Sequence, residues 1–258
     1  MPNRGLFDLA GRSALVTGAG QGVGKAIATG LASHGARVAI ADVNRVAAEG
    51  TAEEFSASGF EAVAISADVT VEHDVQVAVR TVVERWGAID ILVNNAGIAI
   101  AEPAEITSLA NFRKVMEIDL IGALAFCQAA FVPMREANRG SIINIASMAG
   151  LAVLRPQKHV GYNVAKSGII MLTKTLAVEW AQFGIRVNAI APGYTLSPAV
   201  VALRDSLPAD WSEWMRTVPM SRAAETHEMQ GAAIYLAGDA SSYVTGSVLC
   251  VDGGYTCI

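Results

Sequence analysis

The sequence predicts an α/β fold, a doubly wound parallel sheet of about seven strands, in one domain spanning residues 1–258. Three observations predict it. Short apolar runs alternate with helix-like stretches along most of the chain, an order that calls for right-handed crossovers between parallel strands. Those runs are apolar almost continuously instead of at every second residue, which marks strands covered by helices on both faces. No internal repeat, low-complexity tract or Pro/Gly-rich linker divides the chain.

Taken in order, SALVT (13–17) reads as the first strand, followed by a helical pattern from Gly22 to His34 that Gly35 stops, and then RVAIAD (37–42). EAVAISAD (61–68), a helix from about Val71 to Trp86 stopped by Gly87, and DILVNNAG (90–97) come next. GSIINIAS (140–147) and IRVNAIAPG (185–193) follow further helices, and SVLCVDGG (247–254) closes the sheet. The rhythm breaks over about 195–222, which carries Pro198, Pro208, Pro219, Trp211 and Trp214. An insertion after a strand's carboxyl end lies where open α/β sheets bind ligands, so this segment is expected to be a substrate loop or lid.

Composition removes several function classes. With 52% hydrophobic and 17% charged residues the chain can fill a large core. The formal net charge is -5 and the basic residues are scattered, which excludes nucleic acid or an anionic membrane as the main partner. No uninterrupted apolar run is long enough for a membrane span. The amino end, MPNRGLFDLAGR, lacks the apolar core and cleavage site of a secretory signal, so a cytoplasmic location is expected. Cys127, Cys250 and Cys257 form no CxxC and have no metal-ligand spacing with the four histidines, which points to buried thiols and no metal.

After the first strand, TGAGQGVGKA sets Gly18, Gly22 and Gly24 in a GxxxGxG pattern, with Gln21 and Val23 completing the turn. Glycines permit a tight turn and close approach to a pyrophosphate, and the helix that follows directs its free amides at the anion. Asp42 ends the second strand about twenty residues beyond that loop, where a carboxylate accepts from both adenosine ribose hydroxyls. The same charge repels a 2′-phosphate, so NAD is favoured over NADP, with Arg45 nearby as a counterweight. Asp68 is placed to accept from the adenine amine with Val69 beside the ring, or to cap the helix beginning near Val71.

In GYNVAKSG (161–168), Tyr162 and Lys166 stand one helical turn apart on one face. A neighbouring ammonium favours the phenolate, which makes Tyr162 a candidate general acid/base. The apolar residues around the pair argue against a solvated surface contact.

TGAGQGVG, NNAG (94–97), SIINIAS ending in Ser147, YNVAK and RVNAIAPG occur in the order and spacing of the single-domain branch of the short-chain dehydrogenase/reductase family, which the chain resembles from Leu15 to the terminal VDGGY. The resemblance implies hydride transfer between a nicotinamide and an alcohol or ketone, in a homotetramer whose contacts use the helix carrying Tyr162 and Lys166. It implies that Tyr162 exchanges a proton with the substrate oxygen, that Lys166 binds the nicotinamide ribose and supports the tyrosine, and that Ser147 bonds the reacting oxygen. Asn95, Ala96 and Gly97 match the segment lining the adenosine side, and Pro192 and Gly193 the turn closing over nicotinamide. Two departures stand out. Asp119 occupies a position where many relatives have Asn, whose backbone carbonyl holds a water on the proton path to the lysine. Where the family has Thr near the carboxamide, PGYTLS offers Ser197, with Thr195 two residues earlier.

Gln157, in RPQ, resembles the corresponding residue of polyol and sugar-alcohol dehydrogenases, and it both donates and accepts, as vicinal hydroxyls require. His159 faces either the pocket or solvent. Arg155 and Lys158 leave a carboxylated sugar open. An NAD-dependent polyol dehydrogenase that forms a ketose is therefore the leading expectation. The alternatives are a 3-oxoacyl thioester or broad ketone reductase, whose slot Trp211 and Trp214 would shape, and a non-catalytic nucleotide sensor. The enoyl-reductase branch spaces its tyrosine and lysine further apart.

Overall fold

A computed structural model describes residues 5–258. Its elements are β1 (Ser13–Thr17), α1 (Gly22–Ser33), β2 (Arg37–Asp42), α2 (Arg45–Ala57), β3 (Ala62–Ser66), α3 (Glu72–Trp86), β4 (Ile91–Asn94), α4 (Leu109–Met116) and α5 (Gly122–Glu136), followed by β5 (Gly140–Ile145), α6 (Val160–Trp180), β6 (Ile185–Pro192), α7 (Pro198–Ser206), α8 (Pro208–Arg216), α9 (Gln230–Ala237) and β7 (Val248–Val251). The described strands form one parallel sheet of seven in the order β3-β2-β1-β4-β5-β6-β7. The order turns back between β1 and β4, which opens a crevice at the strands' carboxyl ends.

Neighbouring residues of each central strand serve opposite cores. Val16, Ile40, Val93 and Ile143 pack with Ile27 and Leu31 of α1, Phe55 of α2 and Leu236 of α9. Leu15, Ala39, Leu92 and Ile142 pack with Val79 of α3, Phe126 and Met134 of α5, and Trp180 of α6. Each such side chain contributes ~1.5–3 kcal/mol on burial, which is why these strands carry no polar alternation. β1 and β2 end where their apolar runs do, and β3 to β7 end one to three residues earlier than theirs. The remainders, including Asn95, Ser147 and Gly193, leave the sheet and build the crevice.

A π-helical turn, Glu117–Ile121, joins α4 to α5, and the whole stretch Leu109–Glu136 is long and apolar enough to cross a membrane by length and composition. Its fully buried Phe126, Cys127, Ala130 and Met134 lie against the sheet, the packing of a core helix. The expectation of buried thiols holds for Cys127 alone. Cys250 and Cys257 are exposed, because β7 is an edge strand and the chain turns outward beyond it.

Candidate active site

β5 delivers Ser147 and α6 delivers Tyr162 and Lys166 to one cavity of about 410 Å³ at the strands' carboxyl ends. Ser147 starts a 3₁₀ turn, its Oγ accepting from Ala149 N at 3.1 Å. Lys166, 4% exposed, donates from Nζ to the Ile145 carbonyl at 3.0 Å and lies 5.5 Å from the Tyr162 ring centroid. The π-helical turn places Asp119, 1% exposed, beside it: Oδ2 is 3.2 Å from Lys166 Nζ and Oδ1 accepts from Ile98 N at 2.8 Å. Burial pushes the Asp119 carboxyl up, against the pull of Lys166 and the Ile98 amide. The sequence pointed to the backbone carbonyl of residue 119 and to the added charge of its side chain; the structure shows that side chain paired with the lysine.

The crevice between β1 and β4 fits a dinucleotide. Gly18 has φ +62°, and a Cβ on Gly24 would run into the Gly18 carbonyl, so the turn closes only without side chains. Gly22 opens α1, whose N-cap Gln21 makes no side-chain cap bond, so its first amides have no side-chain acceptor. Val23 and Gly97 line the cavity too, and the Gly97 backbone abuts Asp119. Asn95 plays a part the sequence did not disclose. Its Nδ2 donates to the carbonyls of Thr17 (3.1 Å) and Gly18 (3.0 Å), clasping the glycine turn to β4, while Asn95 N and Ala96 N both donate to Thr17 Oγ1.

Asp42 accepts from Gly20 N at 3.0 Å and Asn44 N at 2.9 Å, one bond to each oxygen, leaving each a further acceptor site. Arg45, the expected counterweight, instead pairs along α2 with Glu49 at 2.7 Å. Asp68 does not cap α3, whose N-cap is Val71 without a side-chain bond. It bonds Thr70 N and Oγ1, and Asp74 reaches back to its amide. Val69 packs against Gly122. Pro192 ends β6, and Gly193 N donates to the Val251 carbonyl at 2.9 Å. Of the two candidate hydroxyls, Thr195 Oγ1 donates to the Gly193 carbonyl at 3.1 Å and Ser197 Oγ accepts from Val200 N at the start of α7. Both residues line the cavity.

The 195–222 segment folds as α7 and α8 and walls the substrate end with Leu203, Trp211 and Trp214. Gln157 Nε2 donates to Tyr194 OH at 2.7 Å. Tyr194 stacks on Trp214 at 6.1 Å and meets Trp211 and Tyr255 edge-on. Burial, with Tyr255 beside it, pushes the Tyr194 phenol up to about 12 against the bond from Gln157, so its hydroxyl stays neutral. Sequence reasoning missed Tyr194. Its one signal was an aromatic residue directly after the APG turn. His159 lines the cavity, half-buried, 6.3 Å from the Tyr162 ring, which settles its orientation towards the pocket. Arg155 and Lys158 are exposed and do not line it.

Known proteins share this sequence pattern and fold. A family model described as "Enoyl-(Acyl carrier protein) reductase" matches residues 18–256. Galactitol 2-dehydrogenase (L-tagatose-forming) of Cereibacter sphaeroides is 40% identical over 99% of both chains. The crystal structure of a short-chain type dehydrogenase/reductase from Mycobacterium marinum superposes with a TM-score of 0.93 at 37% identity over 98% of each chain. That of a gluconate 5-dehydrogenase from Burkholderia cenocepacia J2315, in complex with NADP and tartrate, gives 0.91 at 38% over 98% of each.

Proposed function

This chain belongs to the short-chain dehydrogenase/reductase family, and from that we propose that it is an NAD-dependent dehydrogenase oxidising a secondary alcohol of a sugar alcohol to a ketose. The observation that carries the reading is the convergence of Ser147, Tyr162 and Lys166 on a cavity whose far wall presents Gln157 and Tyr194. A nicotinamide dinucleotide, when bound, supplies the hydride acceptor. Ser147 Oγ orients the substrate hydroxyl. Tyr162, as the phenolate that the Lys166 ammonium favours, takes that hydroxyl's proton as the carbon loses hydride and becomes the neutral phenol. Gly18, Gly22 and Gly24 cradle the pyrophosphate, and Asp42 receives the adenosine ribose. The family model's description names an enoyl reductase. The four-residue spacing of Tyr162 and Lys166 and the likeness to a galactitol dehydrogenase favour alcohol–ketone chemistry. Initial rates on xylitol and galactitol with NAD, beside an acetoacetyl thioester with both reduced cofactors, test the reading; turnover of the thioester alone contradicts it.

Asp119 tunes this chemistry. Its carboxylate opposes the field of Lys166 at the phenol, so Asp119→Asn, which keeps an acceptor for Ile98 N, strengthens that field. The pH giving half-maximal alcohol oxidation then falls by about half to one pH unit. A pH–rate profile that stays in place or moves upward contradicts this role.

A homotetramer is part of the same reading. Val164, Met171 and Val178 recur every seven residues on α6 and are exposed, with Ile121 of the π-helical turn and Val132 of α5 exposed as well. Such a stripe is the kind a second copy covers. Size-exclusion chromatography with light scattering is expected to show four chains, and Met171→Glu a smaller species. A monomeric unaltered protein contradicts the assignment.

A further inference from the structure

The cavity also carries information on which polyhydroxylated substrate it takes, an inference that rests on the dehydrogenase reading above. Three polar atoms of its lining residues are buried without a hydrogen-bond partner: Gln157 Oε1, His159 Nδ1 and Trp214 Nε1. All three belong to side chains that carry no charge in this setting, His159 because burial pushes its imidazole down. For His159 the tautomer follows. Orphaned buried N–H groups are rarer in folded proteins than under-satisfied acceptors, so the proton belongs on Nε2 and the buried Nδ1 keeps its lone pair. Nε2 is the ring nitrogen left open, and the imidazole sits edge-on to Tyr162.

The charges around the cavity are equally specific. Lys166 is the one cation among its lining residues, and it is already paired with Asp119 and bonded to the Ile145 carbonyl. Arg155 and Lys158, close in sequence to Gln157, lie outside in solvent. The opposite wall is the aromatic group of Tyr194, Trp211 and Trp214. A substrate carboxylate entering this space gives up its hydration and finds no cation to replace it, whereas hydroxyls meet neutral donors and acceptors, and the C–H faces of a polyol lie against the rings.

We infer that His159 is a specificity-determining residue, donating from Nε2 to a substrate hydroxyl beside the reacting carbon, in a pocket that selects neutral polyols over the corresponding sugar acids. The test has two parts. In the unaltered enzyme, kcat/KM with NAD is measured for a panel of hexitols and for the hexonates of the same configuration. The hexitols are expected to be favoured by at least about tenfold. His159→Phe is then expected to lower kcat/KM for the preferred hexitol about 10- to 30-fold, with the Kd for NAD unchanged, and His159→Gln, whose amide donates from a similar position, to keep most of the activity.

Hexonates oxidised as well as or better than hexitols overturn the neutral selection. An equal loss in His159→Gln and His159→Phe, or none in either, overturns the role of His159. Both results leave the polyol reading intact. Oxidation of neither class, with turnover of the acetoacetyl thioester, overturns that reading and this inference together.

Discussion

Tyr162→Phe lowers kcat for alcohol oxidation by about 10³-fold or more while the Kd for NAD stays within about threefold, because the substitution removes one hydroxyl and general acid–base catalysis supplies 10²–10⁴. The variant isolates the proton step. A phenylalanine ring keeps the edge contact with His159 at 6.3 Å and remains beneath Lys166, whose Nζ lies 5.5 Å from the ring centroid. Lys166 retains its bond to the Ile145 carbonyl and its pairing with Asp119, so the pocket stays assembled. Lys166→Ala would be less informative, since it strands the Asp119 carboxylate in a fully buried position and disturbs the site as well as the chemistry. Steady-state rates with NAD, together with a fluorescence titration of cofactor, check the prediction. A loss of less than about tenfold would place the proton acceptor elsewhere.

Asp42→Asn shifts the ratio of kcat/KM for NAD over NADP by about 30- to 150-fold towards NADP, the equivalent of removing ~2–3 kcal/mol of repulsion between the carboxylate and a 2′-phosphate. The asparagine retains an acceptor oxygen and nearly the same shape, so what changes is chiefly the charge. The carboxylate is held at the end of β2 by the amides of Gly20 and Asn44, and cannot swing away from a phosphate without breaking both bonds. Arg45 does not offset it, being committed to Glu49. The NADP in the Burkholderia gluconate 5-dehydrogenase shows that this fold accommodates the phosphorylated cofactor. An unchanged ratio in Asp42→Asn would mean that the preference is set by other residues.

How much of this was legible in the sequence depends on how far apart the partners lie. The glycine turn, Asp42 at the end of β2, and Tyr162 one turn before Lys166 are short-range patterns, fixed by backbone geometry within a single strand–helix unit, and the structure places them as the spacing required. Asn95 was identified for its backbone, but its side chain bonds a turn 78 residues earlier, and nothing local announces that clasp. The Gln157–Tyr194 bond spans 37 residues and joins two loops from different strands. Asp119 meets Lys166 from a π-helical turn, a distortion that its apolar surroundings in the sequence conceal. The cap offered for Asp68 fails for a local reason: α3 starts at Glu72, one turn too late for a cap from residue 68, and Asp74 takes up the Asp68 amide instead. The exposed Cys250 and Cys257 show that composition describes the core better than it describes an edge strand.

The central claim is that this cavity moves a hydride from a polyol carbon while Tyr162 removes the hydroxyl proton. Oxidation of a hexitol deuterated at its secondary carbinol carbons, followed by mass spectrometry of the reduced cofactor, tests it most directly. The account predicts one deuterium per NADH, with a ketose formed in equal amount and both lost in Tyr162→Phe. NADH without deuterium, or labelled NADH formed at an undiminished rate by Tyr162→Phe, would contradict it.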